Sequence, residues 1–406
     1  MDEHYWSDGF ISVELENMGI KNVATASCAQ TDSRAQIEAY QMKQLRKLIA
    51  YVKARSPFYK QLYRHINIKD IRTMDDLKKL PLITEDDLLR RNSEILSIGL
   101  DFVRRRAEVV SNSELKVLNQ DKSKIEPFAY SRLHHSHTSG THERKSVFFS
   151  DEDMSNMISY FQKGISRVVE KGDIVLAIYP YERYGSVGHL ISEGVRANGA
   201  KCYHEWPLNL TEFLTTMSGD HVVGTYKEIA DTFDSKEYFH YLADKVRDIK
   251  ASVIIAPAGI CRRVAEAASS IKHVASPSSL AWEEPYVKKV MLSSEYIGPQ
   301  HRYAIEKAWP GTRIWEHYAS TESGYGIGID CGRNTGCYCV RDSSILLEII
   351  DGEIVITTLG REATPLIRYR TGDYCENVTT ACPLNSPLHR LGRVKDRGLK
   401  QGEFVS

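Results

Sequence analysis

Four short segments of the chain combine hydroxyl, carboxylate and cationic side chains with glycine, a mixture suited to binding phosphate and sugar groups. The first, at 138–146, reads TSGTHERKS. Hydroxyls and backbone N–H groups around Gly140 can wrap phosphate oxygens, and Arg144 or Lys145 can neutralise their charge. Such a loop is also typical of a plain turn. Its spacing differs from Gly-x-x-x-x-Gly-Lys-Ser/Thr, so the sequence does not indicate a Walker-type NTPase.

The other three segments lie in the C-terminal half. In YASTESG at 318–324, the carboxylate of Glu322 beside hydroxyls can hold Mg²⁺, although a solvated loop glutamate is the simpler alternative. In RYRTGD at 368–373, Asp373 could accept hydrogen bonds from ribose hydroxyls or merely close a turn. The fourth segment, GRVKDR, occupies 392–397.

The elements that must position these segments can be read from periodicity and from capping signals. Apolar residues recur at helical spacing from Ile37 to Val52, and Pro57 ends that helix. Thr84 and Asp87 have the spacing of a capping box, which predicts a further helix start. The dipeptide Asp351-Gly352 between two apolar runs predicts a tight hairpin.

Beyond residue 150 the chain alternates short apolar runs with helical patterns. The apolar runs fall at 174–179, 253–256 and 290–292, and a helix is predicted at 299–309. This alternation predicts an α/β fold, in which a large core of β-sheets flanked by helices is followed by a smaller β-rich subdomain.

Composition excludes several classes of function. Lys+Arg and Asp+Glu both number 53 in 406 residues, so no overall charge attracts nucleic acid or an anionic membrane. No apolar stretch approaches the ~20 residues of a membrane span. The acidic N-terminus lacks a secretory signal, which favours a cytoplasmic protein with reduced cysteines. The eight cysteines are therefore better interpreted as core residues, metal ligands or nucleophiles than as disulfides.

The order and spacing of the four segments together resemble the adenylate-forming superfamily, specifically its phenylacetate–coenzyme A ligase-like branch. The resemblance also includes LRKL at 45–48, SPFY at 56–59 and LPLITEDDL at 80–88. It continues through 357–373, where PLIRYR is especially close, and through 392–402. It covers residues 40–406 and leaves the N-terminal leader unmatched.

The resemblance assigns the phosphate and metal contacts to two segments. The nucleotide phosphate loop would consist of Thr138, Ser139, Gly140 and Thr141. Thr321 would contact the α-phosphate and Glu322 would hold Mg²⁺, so that Thr141, Thr321 and Glu322 form the expected catalytic set. The family loop continues Thr-Gly-x-Pro, whereas this chain has HERK at 142–145, which brings a carboxylate near the expected pyrophosphate.

The nucleoside and acyl contacts are assigned in the same way. Tyr318 would stack on adenine, and Asp373 and Arg393 would bind the ribose hydroxyls. The turn beside adenine would be Ser293, Ser294 and Glu295, with serines where glycines are usual. The acyl pocket would be lined by Tyr181, Tyr184, Gly185, Ala258 and Gly259. The tyrosines favour an aromatic or polar carboxylic acid.

The cysteine cluster predicts a structural Zn²⁺ site. Four thiolates arriving as two groups, Cys331, Cys337, Cys339 and Cys382, could bind zinc tetrahedrally, although their spacing is not that of a zinc ribbon and ordinary buried cysteines are the alternative. Related sequences of this branch carry Cys and His at these places. The three histidines at 134, 135 and 137 are interpreted as a strand end and not as a metal site.

The implied activity is that of an acyl-adenylate-forming ligase. ATP would activate a small-molecule carboxylic acid, pyrophosphate would leave, and the acyl group would pass to coenzyme A or another acceptor. Joining two anions requires charge neutralisation and positioning more than a protein nucleophile. Two alternatives stay open: a non-catalytic nucleotide-binding, acyl-binding or docking protein derived from this family, and transfer of an adenylyl or acyl group to a protein or cofactor.

The expected organisation has four parts. A leader of unreadable role occupies 1–36, the α/β adenylation core 37–330, the β-rich subdomain with the cysteines 331–391, and a hinge remnant 392–406. Asp396 would be the hinge of a mobile C-terminal lid. Because the chain ends at Ser406, the lid and its lysine are expected to be absent or to come from a partner protein. No nucleic-acid or membrane partner is expected, and a homodimer is left open.

Overall fold

The computed structural model describes most of the chain with several gaps. The described residues are 11, 13–20, 27–97, 134–137, 145–181, 184–206, 236–274, 286–332, 336–376, 378, 382, 384 and 386–395. The predicted phosphate loop, Thr138 to Thr141, and the predicted hinge Asp396 lie outside them. In the described part of the chain, no helix is both long and apolar enough to cross a membrane.

The described helices include the three that the sequence predicts. They are α1 (Ser27–Arg55), α2 (Pro57–Leu62), α3 (Glu85–Arg90), α4 (Asn92–Ile95), α5 (Asp151–Ile165), α6 (Val187–Ala197), α7 (Lys236–Asp248), α8 (Ala258–Val274) and α9 (Pro299–Ala308). Two 3₁₀ turns lie at Ile68–Asp70 and Met74–Lys79. The capping box of Thr84 and Asp87 is confirmed. The first helix begins at Ser27, inside the predicted leader.

The strands form one large mixed sheet and two small sheets. They are β1 (His134–His137), β2 (Ser146–Phe149), β3 (Ile174–Ala177), β4 (Lys201–His204), β5 (Val253–Pro257), β6 (Lys289–Ser293), β7 (Arg313–Tyr318), β8 (Gly328–Asp330), β9 (Tyr338–Val340), β10 (Ile345–Ile350), β11 (Glu353–Thr358), β12 (Tyr369–Cys375), β13 (Arg390–Leu391) and β14 (Val394–Lys395). The predicted hairpin is confirmed, because β10 and β11 flank Asp351 and Gly352 at positive φ.

The large sheet has the order β13-β9-β8-β7-β6-β5-β3-β4. Strands β4, β3, β5, β6 and β7 are parallel, and β8, β9 and β13 continue the sheet with antiparallel pairing. The second sheet, β10-β11-β12-β14, is antiparallel, and β1 pairs with β2 alone. This confirms the predicted α/β class.

The large sheet is buried on both faces. Alternate residues of the central strands point to opposite sides, so that Val175 and Ile255 pack with α5 and α6 while Leu176 and Ile254 pack with α7, α8 and α9. A strand covered on both faces reads as a continuous apolar run, which is why the strands were recognisable in the sequence. A third cluster joins α1 and α2 to the antiparallel sheet.

The described residues 11 and 13–20 of the predicted leader pack into the core. Ile11, Leu15 and Met18 are buried in the same cluster as α5 and the large sheet. The carboxylate of Glu14, itself buried, accepts a hydrogen bond of 3.1 Å from the backbone N–H of Ser343. Burial raises the pKa of Glu14. The predicted boundary at residue 36 stays a prediction, but the described residues before it belong to the same packed body.

His317, the residue before the last one of β7, lies in the core. The imidazole of His317 is buried, with Nε2 3.2 Å from Oη of Tyr160 on α5 and Nδ1 3.3 Å from Oγ of Ser293 on β6. The ring of Phe161 lies edge-on to it. Because burial disfavours the charged form, the pKa of His317 is lowered from 6.5 to about 4.

The burial of His317 predicts that the folded protein loses stability at acidic pH. Between pH 6.5 and about 4, His317 is neutral in the folded protein and protonated in the unfolded chain, so the free energy of unfolding falls as pH falls through that window. At about 1.4 kcal/mol per pKa unit the loss reaches on the order of 3 kcal/mol. In His317→Gln this part of the pH dependence should disappear, as measured by urea unfolding at a series of pH values. The exposed His65→Gln is the control, and equal slopes in both variants would contradict the assignment.

Candidate active site

The candidate site lies where the large sheet meets the antiparallel sheet. Tyr318 is the last residue of β7, and Asp373 lies on β12 of the other sheet. The phenol of Tyr318 donates a hydrogen bond of 2.7 Å to Oδ2 of Asp373. Ligands of open α/β sheets commonly bind beyond the carboxyl ends of parallel strands, and this junction has that position.

The backbone of Asp373 is held in place by Thr371 and Gly372, which precede it on β12. Gly372 has a φ of 76°, and its N–H donates to Oε1 of Glu353 at 3.1 Å. The hydroxyl of Thr371 donates to the carbonyl of Ile354 and accepts from the N–H of Asp373. The aspartate that was predicted to bind ribose is therefore fixed at its backbone, and its side chain faces Tyr318.

The loop after β7 turns Glu322 inward. The N–H groups of Ser320 and Ser323 each donate to the other residue's hydroxyl, which closes a tight turn. Gly324 has a φ of 78°, and a Cβ there would lie 2.5 Å from Nη2 of Arg361. Glu322, in the middle of this turn, is buried, whereas Thr321 is half-buried.

Glu322 belongs to a buried cluster that sequence reasoning missed in part. Its Oε1 lies 2.7 Å from Nζ of Lys145 and accepts a hydrogen bond of 3.2 Å from the phenol of Tyr369. Nζ of Lys145 also lies 2.9 Å from Oε1 of Glu85. In the sequence, Lys145 was noted only as one cation of a loop, and Glu85 only as part of a capped helix start. Their relation to Glu322 is set by the tertiary fold.

The donors of this cluster fit a magnesium ion. Mg²⁺ prefers carboxylate oxygens and is usually shared with phosphate. Glu322 is a buried carboxylate that contacts a cation, the ammonium of Lys145, and Glu85 supplies a second carboxylate to the same ammonium. The residues therefore have the charge and the chemistry that such an ion needs, with Glu322 as the predicted ligand.

The turn predicted to lie beside adenine follows β6, and it contacts Gly259 of the predicted acyl pocket. Ser294 has a φ of 75°, and its Oγ lies 3.3 Å from Oη of Tyr179. Oε2 of Glu295 accepts a hydrogen bond of 3.0 Å from the N–H of Gly259. A Cβ at residue 259 would lie 2.7 Å from this carboxylate oxygen, so a side chain there would displace the carboxylate of Glu295.

The other predicted pocket residues lie further outward. The ring of Tyr181 stacks on His204 at 4.1 Å, and the side chain of Tyr184 is 57% exposed. Gly185 has a φ of 81° and faces Met154, while Ala258 is buried at the start of α8. The structure does not bring Tyr184 into the interior, and the role of all five residues in acid binding stays a prediction.

Arg393 approaches the site from the C-terminal segment. It packs on Gly336, where a Cβ would lie 2.8 Å from its Nη2, and it lies in the electrostatic environment of Tyr338. The ring of Tyr338 is in turn 6.1 Å from that of Tyr318. Within the described residues, Nε of Arg393 has no hydrogen-bond partner. Its contact with ribose stays a prediction.

The four cysteines are close to one another but do not support the predicted zinc site. All four are buried. Cys339 hydrogen-bonds to Cys382 and to Arg167, and the first of these bonds lowers the pKa of Cys382 to about 5. Among the described residues, no group of three or more Cys, His, Asp or Glu side chains is arranged to hold a metal ion. The physical reason is that a thiol and a guanidinium already engage the thiol of Cys339.

Sequence comparisons identify no relative of this chain. No family model matches the chain. A search of curated proteins finds no significant match either.

Solved structures do resemble it. An open conformation of 2-hydroxyisobutyryl-CoA ligase, in complex with 2-HIB-AMP and CoA, has a TM-score of 0.63 at 15% identity over 90% of this chain and 72% of that chain. The same ligase in its postadenylation state, with 2-HIB-AMP, has a TM-score of 0.61 at 16% identity over 89% of this chain and 68% of that chain. Likeness at this identity establishes the fold alone, and the chain has the α/β fold seen in these two ligase structures.

Proposed function

We propose that the protein activates a carboxylic acid with ATP, forming an acyl-adenylate and pyrophosphate, and then transfers the acyl group to coenzyme A or another acceptor. The observation that supports this most directly is the convergence of Tyr318, Glu322 and Asp373 at the junction of the two sheets. Tyr318 and Glu322 belong to the segment at 318–324 and Asp373 to the segment at 368–373, and each has the side-chain chemistry that its proposed partner on ATP requires.

The nucleoside half of ATP would bind at the Tyr318–Asp373 pair. The carboxylate of Asp373 can accept hydrogen bonds from both ribose hydroxyls, and its backbone is already fixed by Thr371 and Gly372. The phenol of Tyr318 now occupies one of its oxygens at 2.7 Å, so ribose would compete for or share this acceptor. The buried ring of Tyr318, which lies 6.1 Å from that of Tyr338, would stack on adenine.

The reaction would join two anions. An oxygen of the acid attacks the α-phosphorus, the bond from that phosphorus to the bridging oxygen breaks, and the bond's electrons leave with pyrophosphate. Glu322 would hold Mg²⁺, which supplies charge neutralisation at the phosphates when bound. Lys145 and the predicted contact of Thr321 would position the α-phosphate.

In the second step a nucleophile such as a thiol would attack the acyl carbon, lose its proton and release AMP. The two structures compared above are of a ligase with 2-HIB-AMP, and one of them also contains CoA. A hydroxylated small acid therefore joins aromatic and polar acids as a class worth testing here. The paired hydroxyls of Tyr179 and Ser294 beside the predicted pocket favour a polar acid.

Adenylation can be tested by acid-dependent exchange of labelled pyrophosphate into ATP. A panel of aromatic acids, hydroxy acids and short aliphatic acids should include at least one that supports exchange above the rate without acid. Folded protein that binds ATP, measured by calorimetry, but supports no exchange with any acid would favour a nucleotide-binding protein over this proposal.

Substitution Glu322→Gln should remove most of the exchange activity, because a neutral amide binds Mg²⁺ poorly and leaves Lys145 without its closest carboxylate. We expect a loss of at least about 100-fold in rate, in line with removal of one electrostatic group from an active site. Glu170→Gln, which removes a carboxylate paired with Lys289 at the start of β6, is the control for stability. Wild-type exchange in Glu322→Gln would exclude the metal role.

Substitution Asp373→Asn should weaken the binding of ATP and leave the binding of the acid unchanged. An amide replaces a charged acceptor by a weaker one, and a hydrogen bond to a charged group contributes about 1.5–3 kcal/mol, so the KM for ATP should rise about 10- to 100-fold. The KM for the acid should change little. Asp351→Asn in the exposed hairpin turn is the matched control. An unchanged KM for ATP in Asp373→Asn would contradict the ribose assignment.

A further inference from the structure

Lys145 neutralises two carboxylates that come from distant parts of the chain. Its Nζ lies 2.7 Å from Oε1 of Glu322 and 2.9 Å from Oε1 of Glu85, and only 2% of its side chain is exposed. It also donates to the phenol of Tyr369 at 3.4 Å. Two carboxylates thus share one ammonium, and a second cation on Glu322 would leave each of the two carboxylates with its own positive partner.

We propose that Lys145 is an internal cation that Mg²⁺ displaces from Glu322, and that Glu85 then serves as the counter-ion that keeps Lys145 charged beside the nucleotide. The inference rests on the proposed function, since it takes ATP as the ligand that the metal accompanies. No covalent bond changes, and no proton is transferred. The exchange replaces one cation by another on the same carboxylate.

The position of Glu85 makes this exchange feasible. Glu85 is the first residue of α3, and its side chain is 42% exposed, so it can follow the ammonium when Lys145 moves. Backbone hydrogen bonds from Ile83 to Arg368 and from Arg370 to Ile83 tie the start of α3 to the strand that carries Tyr369. The second carboxylate therefore stays within reach of the site, and a buried lysine needs such a partner to remain charged.

The arrangement also gives a role to the segment at 80–88, which the proposed function leaves without one. Its capping box fixes the backbone of Thr84 and Asp87, and Glu85 projects from the first turn between them. Its neighbour Asp86 pairs with Arg90 on the solvent side. Of two adjacent acidic residues in one helical turn, only Glu85 is paired with Lys145.

Magnesium binding to the nucleotide-free protein tests the displacement directly. In Lys145→Met the two carboxylates lose their internal cation, so Mg²⁺ alone, titrated by calorimetry, should bind at least about tenfold more tightly than to wild type. The double variant Lys145→Met with Glu85→Gln should lose most of that gain. Lys78→Met, which removes an exposed lysine, is the control. Equal Mg²⁺ affinity in Lys145→Met and wild type would overturn the proposal.

A second variant keeps the test valid if Lys145→Met does not fold. In Glu85→Gln, Lys145 has lost the carboxylate that receives it after displacement, so the Mg²⁺ concentration for half-maximal ATP binding should rise about tenfold. Asp86→Asn should leave it unchanged. If Glu85→Gln changes the melting temperature but requires the same Mg²⁺ concentration as Asp86→Asn, Glu85 is only structural and the proposal falls.

These readouts separate the two proposals. If no acid supports pyrophosphate exchange while Lys145→Met binds Mg²⁺ more tightly, the displacement of Lys145 by Mg²⁺ is supported and the proposed ligase activity is rejected. If exchange occurs and neither Lys145→Met nor Glu85→Gln changes the Mg²⁺ dependence, the ligase activity is supported and the displacement of Lys145 is rejected.

Discussion

The burial of the Glu322 carboxylate is the constraint on which the arrangement of the site depends. A charged carboxylate away from water is destabilising by several kcal/mol unless it is paired and hydrogen-bonded. Lys145 from the start of β2 and Tyr369 from β12 provide those partners. Three separate parts of the chain must therefore meet before this group is satisfied, and their meeting joins the large sheet to the antiparallel sheet.

Tyr369 owes its position to an unusual backbone conformation next to it. Arg368 has a φ of 55°, a left-handed value that bulky residues rarely adopt and that carries a strain of roughly 1–3 kcal/mol. Its guanidinium offsets this strain with two bonds to Glu348 and one of 2.6 Å to the carbonyl of Leu80. The same contacts hold the N-terminal segment at 80–88 against β12, so the strained residue connects Glu85 with Tyr369.

Features that depend on neighbouring residues were predictable from the sequence. The hairpin at Asp351 and Gly352, the capping box at Thr84 and the helix end before Pro57 each follow from local backbone preferences, and each is found. The buried strands were recognisable because both faces of the sheet are apolar. The pairing of Glu85 with Lys145 was not predictable, because it is a tertiary contact between residues 60 positions apart in the chain.

The cysteines illustrate the opposite error. Residue type and clustering favoured a zinc site, and the fold does bring Cys339 and Cys382 together. What the sequence could not show is that Arg167 from the end of α5 reaches Cys339, or that its other bonds go to the carbonyls of Ile329 and Asp330. The hydrogen bond with Cys382 and burial both raise the pKa of Cys339, so its sulfur is a neutral thiol, whereas a cysteine that binds a metal is a thiolate.

Charge explains why a site of this kind would take nucleotide together with a metal. The chain has no net charge, so it does not attract a polyanion over long range, and the binding energy must come from short contacts. At the site, the described groups that face Lys145 are two carboxylates, which repel free phosphate. In the proposed exchange, a divalent cation that arrives with phosphate would bind Glu322, and the ammonium of Lys145, then paired with Glu85, would face the phosphate. Selectivity for a metal-bound nucleotide would then follow from the same cluster that joins the two sheets.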